Sequence, residues 1–277
     1  MSNLQELQEK ITDIILYIDK LCRKNDIIYY IMGGTALGAV RHKGFIPWDD
    51  DLDIFMTPQD YKKFREAFYK DNSQLFYLQE WKTAKNYLEH AKLRMNGTTY
   101  IEKAFSSNMK MHHGIYVDIM ILHKCPDNLP AETLTYLLSK YVTLVALTQR
   151  EWQPKNLFHA LMKKIVKITP NKVLVPLSYR WIYHFDDRKT NFVYCYFITK
   201  TSFRQGIMPK EIFQKPISIK FGDIELYAPT KIKKYLRIRY GDYMKLPSEE
   251  ERKAAVHAEI FDVNQDFKEY LKMPNKQ

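Results

Sequence analysis

Three aspartates at alternate positions, Asp49, Asp51 and Asp53, are the residues of this chain most suited to chemistry. On an extended strand they point to one face, while Leu52, Ile54 and Met56 point to the other. Alternate side chains on one strand face lie roughly 7 Å apart, a spacing at which two carboxylates can share a small divalent ion. Asp is a poor strand former, and the mutual repulsion of three acids is costly unless a cation relieves it. The plain alternative is an edge strand with solvated acids. Upstream stand Gly33 and Gly34, between an apolar run over Ile27–Met32 and a short helix of small residues. Such a pair brings backbone close to a ligand because no Cβ intervenes. Thr35 is expected to cap that helix, whose free N–H groups and dipole favour a phosphate. Together the two features supply both halves of a site for a nucleoside diphosphate: amides for phosphate and carboxylates for metal.

A fourth acid, Asp118, interrupts the apolar strand pattern IYVDIMIL. A buried carboxylate needs a partner or a metal. Asp118 is therefore a candidate to complete the metal site or to act as general base. Lys92 and Arg94 alternate on an extended segment and could clamp phosphate, Arg through paired hydrogen bonds; the other reading is two surface cations. Arg41 and Lys43 are open to the same two uses, as phosphate contacts or as an ordinary helix C-terminus. His112 and His113 read as neutral loop histidines or as pocket lining.

The elements that must position these residues follow from periodicity. Residues 3–24 carry Leu4, Leu7, Ile11, Ile14, Ile15, Ile18 and Leu21 at helical spacing. Thr57-Pro58 starts a helix to about Lys70, and residues 75–81 read as a strand. From 129 to 187 the pattern is helical and basic, with Pro154, Pro170 and Pro176 marking turns or helix starts. Lys163, Lys164 and Lys167, interleaved with apolar residues, suit an anionic membrane, an acceptor, or simply an amphipathic helix of the fold. ISIKFGDIELYAP reads as a hairpin turning at Gly222-Asp223. A helix from Ala228-Pro229-Thr230 runs through Arg239 and is capped by Gly241. The expected division is a catalytic core over 1–128, a helical insertion and possible acceptor region over 129–190, and C-terminal strands and helices over 191–277 that complete the core.

Composition sets bounds. The 277 residues are 45% hydrophobic and 27% charged, a globular balance. A net charge of +11 suits acidic partners without choosing among nucleotides, anionic lipid and nucleic acid. The 14% of aromatic residues are enough for a core and for stacking on bases, sugars or quaternary ammonium groups. Three dispersed cysteines with no zinc spacing point to reduced thiols, and with no signal peptide pattern the expected location is cytoplasmic. No apolar run is long enough to span a bilayer.

The stretch GGTALGAVRHKGFIPWDDDLDIFM, residues 33–56, resembles the signature of the LicD family, bacterial phosphocholine transferases related to the fukutin-type phosphotransferases. HHGIYVDIMIL and YGDYMKLP, the latter with the later His257, are similar to further blocks of that family. The resemblance covers residues 27–122 and 216–257. It implies an α+β, nucleotidyltransferase-like fold, a mixed sheet flanked by helices with an additional helical region. It implies Mg²⁺ (Mn²⁺ possible in its place) on Asp51, Asp53 and Asp118, with Asp49 in the same pattern. Gly33, Gly34, Thr35, Arg41, Lys43, Lys92, Arg94 and His257 would be the nucleotide and substrate contacts, with Trp48 nearest for a choline cage. The donor implied is CDP-choline. The acceptor would be a sugar hydroxyl of a teichoic acid precursor or other cell-surface glycan, at the cytoplasmic membrane face, with CMP released. Another CDP-alcohol donor, a true nucleotidyltransferase, and a basic module binding nucleic acid or membrane are the alternatives. The acids argue against the last, since they repel phosphate unless a metal intervenes.

Overall fold

The computed structural model describes residues 3–80, 90–103, 111–149, 156–197, 206–254 and 256–272. The fold is α+β. Helix α1 (Leu4–Lys24) forms as the spacing predicts, opened by a capping box between Asn3 and Glu6, with Leu7, Ile11, Ile14, Ile15, Ile18 and Leu21 buried. Each such side chain contributes roughly 1.5–3 kcal/mol on burial. This face packs on a five-stranded mixed sheet of order β1 (Tyr29–Ile31), β2 (Asp53–Met56), β6 (Tyr116–Ile121), β4 (Ala91–Met95), β3 (Phe76–Gln79). Strands β2 and β6 are parallel, with Asp53 opposite Asp118, and the other pairs are antiparallel. Leu52, Ile54, Phe55 and Met56 are all fully buried, so both faces of β2 are covered.

Helix α2 (Gly33–Arg41) follows β1, and α3 (Pro58–Asp71) follows β2, with Thr57 as N-cap and Pro58 in the first turn. Strand β5 (Thr99–Glu102) leaves the main sheet to pair with β12 (Ala258–Asp262). The basic helical stretch forms α4 (Leu129–Gln149), α5 (Leu157–Ile168) and α6 (Asn171–Tyr183). These share a second apolar cluster that includes Val142, Val145, Val166, Val175 and Ile182. Pro176 does not start a helix; it lies inside α6, which runs through it with Val175, Tyr179 and Ile182 buried on its packed side. Pro154 lies outside the described residues. Strand β7 (His123–Cys125) pairs with β8 (Phe192–Tyr194), which pairs with β9 (Ile207–Pro209).

The C-terminal part returns to the main sheet. The hairpin of β10 (Ile217–Phe221) and β11 (Ile224–Ala228) turns on Gly222, at φ +61°. Strand β11 lies against β1, and α7 (Ile232–Tyr240) against α2. Phe55 meets Phe213 and Tyr235 edge-on. Helices α8 (Glu249–Ala254) and α9 (Phe267–Lys272) flank β12. All three cysteines are buried and free. Among the described residues no helix is long and apolar enough to cross a membrane.

Candidate functional site

The glycines and the acids meet. A Cβ on Gly34 would lie 2.7 Å from Asp49 Oδ2, and one on Gly33 would lie 3.0 Å from Asp53 Oδ2. Gly33 also has φ +53°, where a side chain is strained. The first turn of α2 therefore sits directly against two of the four candidate carboxylates. Thr35 is not the cap; Met32 holds that position, and Thr35 Oγ1 instead accepts the Asp53 amide at 2.9 Å. A hydroxyl in the first turn of the helix thus fixes the start of β2. The Gly33 amide donates to the Tyr235 hydroxyl at 2.8 Å. The Gly34 and Thr35 amides have no partner among the described residues.

The three aspartates do not alternate along one strand. Only Asp53 belongs to β2; Asp49, Asp50 and Asp51 arrive through a turn and an extended link. The reason is Asp50, which the alternation set aside. It is buried, and its Oδ2 accepts the amides of His257 at 2.8 Å and Ala258 at 2.7 Å. Those bonds pin the acidic turn to the start of β12. His257 Nδ1 lies 3.2 Å from both Asp50 Oδ1 and Asp51 Oδ2. Burial opposes the Asp50 anion, but the bonds from His257 and Ala258 hold its carboxyl below the usual range. The bonds to Asp50 and then Asp51 raise His257 to about 10.

Asp53 and Asp118 stand side by side across the parallel β2–β6 pair, and the Asp118 amide donates to the Leu52 carbonyl at 2.9 Å. Burial pushes the Asp53 carboxyl well up, and Asp51, Asp118 and Asp49 add to it. Asp49 is pushed up to about 8 by burial, then by Asp51 and Asp50. The four acids therefore feel one another. Asp118 faces His90 Nε2 and Lys92 Nζ, each 2.9 Å from Oδ1, and the Lys92 ammonium offsets its charge. Burial works against that anion, but His90 and then Lys92 overcome it and hold the carboxyl well below the usual range.

The expected basic contacts divide. Lys92 and Arg94 are both inside the protein rather than on its surface. Lys92 reaches Asp118, Glu102 at 3.5 Å and the face of Tyr116. Arg94 is 0% exposed, its Nε on Gln79, its Nη1 on the Gly114 carbonyl at 2.8 Å and its Nη2 3.8 Å from Glu102. Nε and Nη1 are hydrogen-bonded within the protein, while Nη2 has an ion-pair neighbour but no hydrogen-bond partner among the described residues. Arg41 Nη1 donates to the Tyr243 carbonyl at 3.0 Å and the Lys245 carbonyl at 3.3 Å, tying YGDYMKLP to the end of α2. Lys43 is exposed, with its ammonium on the Val40 carbonyl. Trp48 is half-buried, and the Arg252 guanidinium lies 4.7 Å over its ring. His112 is stacked on Tyr77.

A metal fits this set by chemistry: Asp51, Asp53 and Asp118 offer carboxylate oxygens without sulfur, the donor set Mg²⁺ prefers. Their oxygens are not drawn together. Among the described residues the group whose donor atoms lie within 4.8 Å of one another is Asp50, Asp51 and His257. Asp50 in that group is spent on two amides, and an imidazolium has no lone pair to give a metal. We read Asp50 and His257 as the brace that aims Asp51.

Sequence reasoning missed Asp50, His90, Tyr235 and Tyr240. The Tyr240 hydroxyl lies 3.9 Å from where a Gly33 Cβ would stand. Two of these carried a signal: Asp50, inside the DDD run, and Tyr240, which opens the YGDYMKLP stretch.

Residues 26–128 match the LicD/FKTN/FKRP nucleotidyltransferase domain. The chain is 28% identical over 263 residues to the lipopolysaccharide cholinephosphotransferase LicD of Haemophilus influenzae, covering 90% of this chain and 94% of that protein. It is 34% identical over 122 residues to an uncharacterized protein of Rickettsia prowazekii, covering 44% of this chain and 42% of that protein.

Proposed function

We propose, from the premise that residues 26–128 belong to the LicD/FKTN/FKRP family, that this chain is a phosphotransferase moving phosphocholine from CDP-choline to a glycan hydroxyl and releasing CMP. A saccharide of lipopolysaccharide is the first candidate acceptor, by similarity to the Haemophilus protein. A teichoic acid precursor is the second. The observation that carries the reading is the contact of Gly33 and Gly34 with the Asp53 and Asp49 carboxylates, which sets phosphate-binding amides beside metal-binding acids.

Asp51, Asp53 and Asp118 would hold Mg²⁺, or Mn²⁺, which would supply Lewis-acid charge for the diphosphate. The Gly34 and Thr35 amides would receive phosphate oxygens at the positive end of α2. Lys92 adds a buried positive charge behind Asp118. Asp118 is assigned as a ligand rather than the base, because the Lys92 ammonium and the His90 imidazole already lie 2.9 Å from its Oδ1. Arg94 is assigned to positioning β4 against β6. The sugar hydroxyl would attack in line at the phosphorus bearing choline, the bond from that phosphorus to the CMP oxygen would break, and the hydroxyl proton would pass to solvent; the step needs charge stabilisation and alignment more than covalent help from the protein.

The approach to a membrane-borne acceptor is proposed to run through α5. Leu157, Leu161, Ile165 and Ile168 fall within about 80° of one another on the helix, opposite buried Val166. Leu157 is 91% and Ile168 84% exposed, with exposed Lys164 and Lys167 beside them. An apolar stripe bordered by lysines suits an anionic lipid surface.

The test is a donor screen with Mg²⁺: CDP-choline, CDP-glycerol, CDP-ribitol, CTP and ATP, reading CMP against pyrophosphate. CMP from CDP-choline in the presence of a glycan acceptor is expected. Pyrophosphate from a triphosphate would replace this reading with a nucleotidyltransferase.

A further inference from the structure

A cavity of about 600 Å³ opens between α3, the ends of β3 and β4, and α6. It lies behind Asp118: His90, one of its lining residues, contacts the Asp118 carboxylate at 2.9 Å. Four aromatic rings line it, Tyr61 from α3, Tyr179 and Tyr183 from α6, and Phe197 after β8. Tyr179 and Phe197 have ring centroids 5.5 Å apart, and Tyr179 and Tyr183 6.4 Å apart. Two buried carboxylates, Glu80 and Asp186, stand among them.

We propose that this cavity receives the quaternary ammonium of the transferred phosphocholine. The proposal rests on the phosphocholine-transfer reading and gives it the missing specificity site.

Three observations favour a cation without N–H groups over a sugar. First, the carboxylates are already hydrogen-bonded. Glu80 accepts from the Tyr61 hydroxyl at 2.6 Å and meets Arg65 at 3.2 Å. Asp186 meets His123 Nδ1 and accepts the Lys124 amide, each at 2.8 Å. A quaternary ammonium asks for no further hydrogen bond from them; it needs only ring faces and negative potential. Second, two carboxylates stand beside the rings. Burial pushes the Tyr183 hydroxyl up, and Asp186 and then Glu80 push it further. Of the lining cations, Lys62 and Arg180 are solvent-exposed, and Arg65 is half-buried against Glu80. Third, the cavity adjoins the proposed phosphate site: His90 both lines it and lies 2.9 Å from Asp118 Oδ1, and choline carries its ammonium only two carbons from the ester oxygen. Trp48, the sequence candidate for this role, already has the Arg252 guanidinium over its ring.

The test is binding of CDP-choline and of CDP to the full chain by calorimetry with Mg²⁺, in wild type, Tyr183→Leu and Tyr61→Leu. Leucine keeps bulk and removes the π face; Tyr183 is 38% exposed, so the fold tolerates the change. Wild type is expected to prefer CDP-choline over CDP. Each variant is expected to weaken CDP-choline at least tenfold and leave CDP affinity unchanged, which also certifies the fold. If wild type shows the preference and both variants keep it, the cavity assignment alone is overturned. It is equally overturned if the variants raise the acceptor KM while donor affinity stays put. If wild type shows no preference, the donor reading fails and the cavity assignment falls with it.

Discussion

Replacing Gly34 with alanine separates the site from the fold. The new Cβ would stand 2.7 Å from Asp49 Oδ2, nearer than such contacts occur, so either the carboxylate or the first turn of α2 must move. Gly34 does not need a positive φ, so alanine otherwise favours the helix by about 1 kcal/mol. Crowding of this kind costs about 1–3 kcal/mol. The net loss of stability is therefore about 0–2 kcal/mol, a fall in Tm of only a few degrees for a chain this long. The catalytic consequence is far larger. A displacement near 1 Å of a group that aligns reactants costs about 10²-fold in rate. The assay is CMP release from CDP-choline, with Tm measured on the same samples. Gly97→Ala is the control: Gly97 has φ +75° with nothing within 4 Å of its Cβ position, so stability falls by about 1 kcal/mol and activity stays. Gly34→Ala with activity within twofold of wild type would refute the claim that Asp49 and the α2 amides share the reacting centre.

Arg94→Met should cost about 3–5 kcal/mol by denaturant unfolding, because Glu102 and the Gly114 carbonyl lose a buried partner. Wild-type stability with selectively lost activity would return Arg94 to the phosphate. His112 reports on pH: its Nδ1 must accept the Gly114 amide at 3.0 Å and its Nε2 faces Asn96, so the folded protein holds it neutral. Burial, then Arg94, lower it to about 3 from 6.5. The unfolded chain therefore takes up a proton below pH 6.5 that the folded chain refuses, and stability falls as pH drops from 6.5 toward 3. The slope is about 1.4 kcal/mol per unit, or about 2 kcal/mol between pH 6.5 and 5. His112→Gln should flatten that slope in pH-dependent unfolding, and an unchanged slope would assign it to other groups. Leu157→Ser with Ile168→Ser should abolish co-sedimentation with vesicles containing phosphatidylserine while leaving CMP release in solution intact; retained binding would remove α5 from the membrane.

The local elements were legible because their signals are local. Helical spacing marked α1, Thr57-Pro58 marked α3, and Gly222-Asp223 marked the hairpin. The acid and glycine motifs were correctly placed together, since only 20 positions separate Gly33 from Asp53. What alternation could not show was Asp50, whose partners His257 and Ala258 lie 207 and 208 residues on and pull the chain out of strand geometry. Tyr235, which takes the Gly33 amide 202 residues away, was hidden for the same reason. Lys92 and Arg94 stayed open between a phosphate clamp and surface cations because period two reports which face a residue takes, not whether a later strand covers that face. Here β5 brings Glu102 over both. Thr35 looked like a cap because its hydroxyl was expected to serve its own helix, and it serves β2 instead.

The account stands on a divalent ion shared by β2 and β6 next to the first turn of α2. A crystal grown with Mn²⁺ and a non-hydrolysable CDP-choline analogue, read by anomalous scattering, tests it most directly. The account predicts one manganese peak bounded by Asp51, Asp53 and Asp118, with a phosphate oxygen on the Gly34 and Thr35 amides. A manganese held by Asp50, Asp51 and His257, away from Asp118, would contradict it.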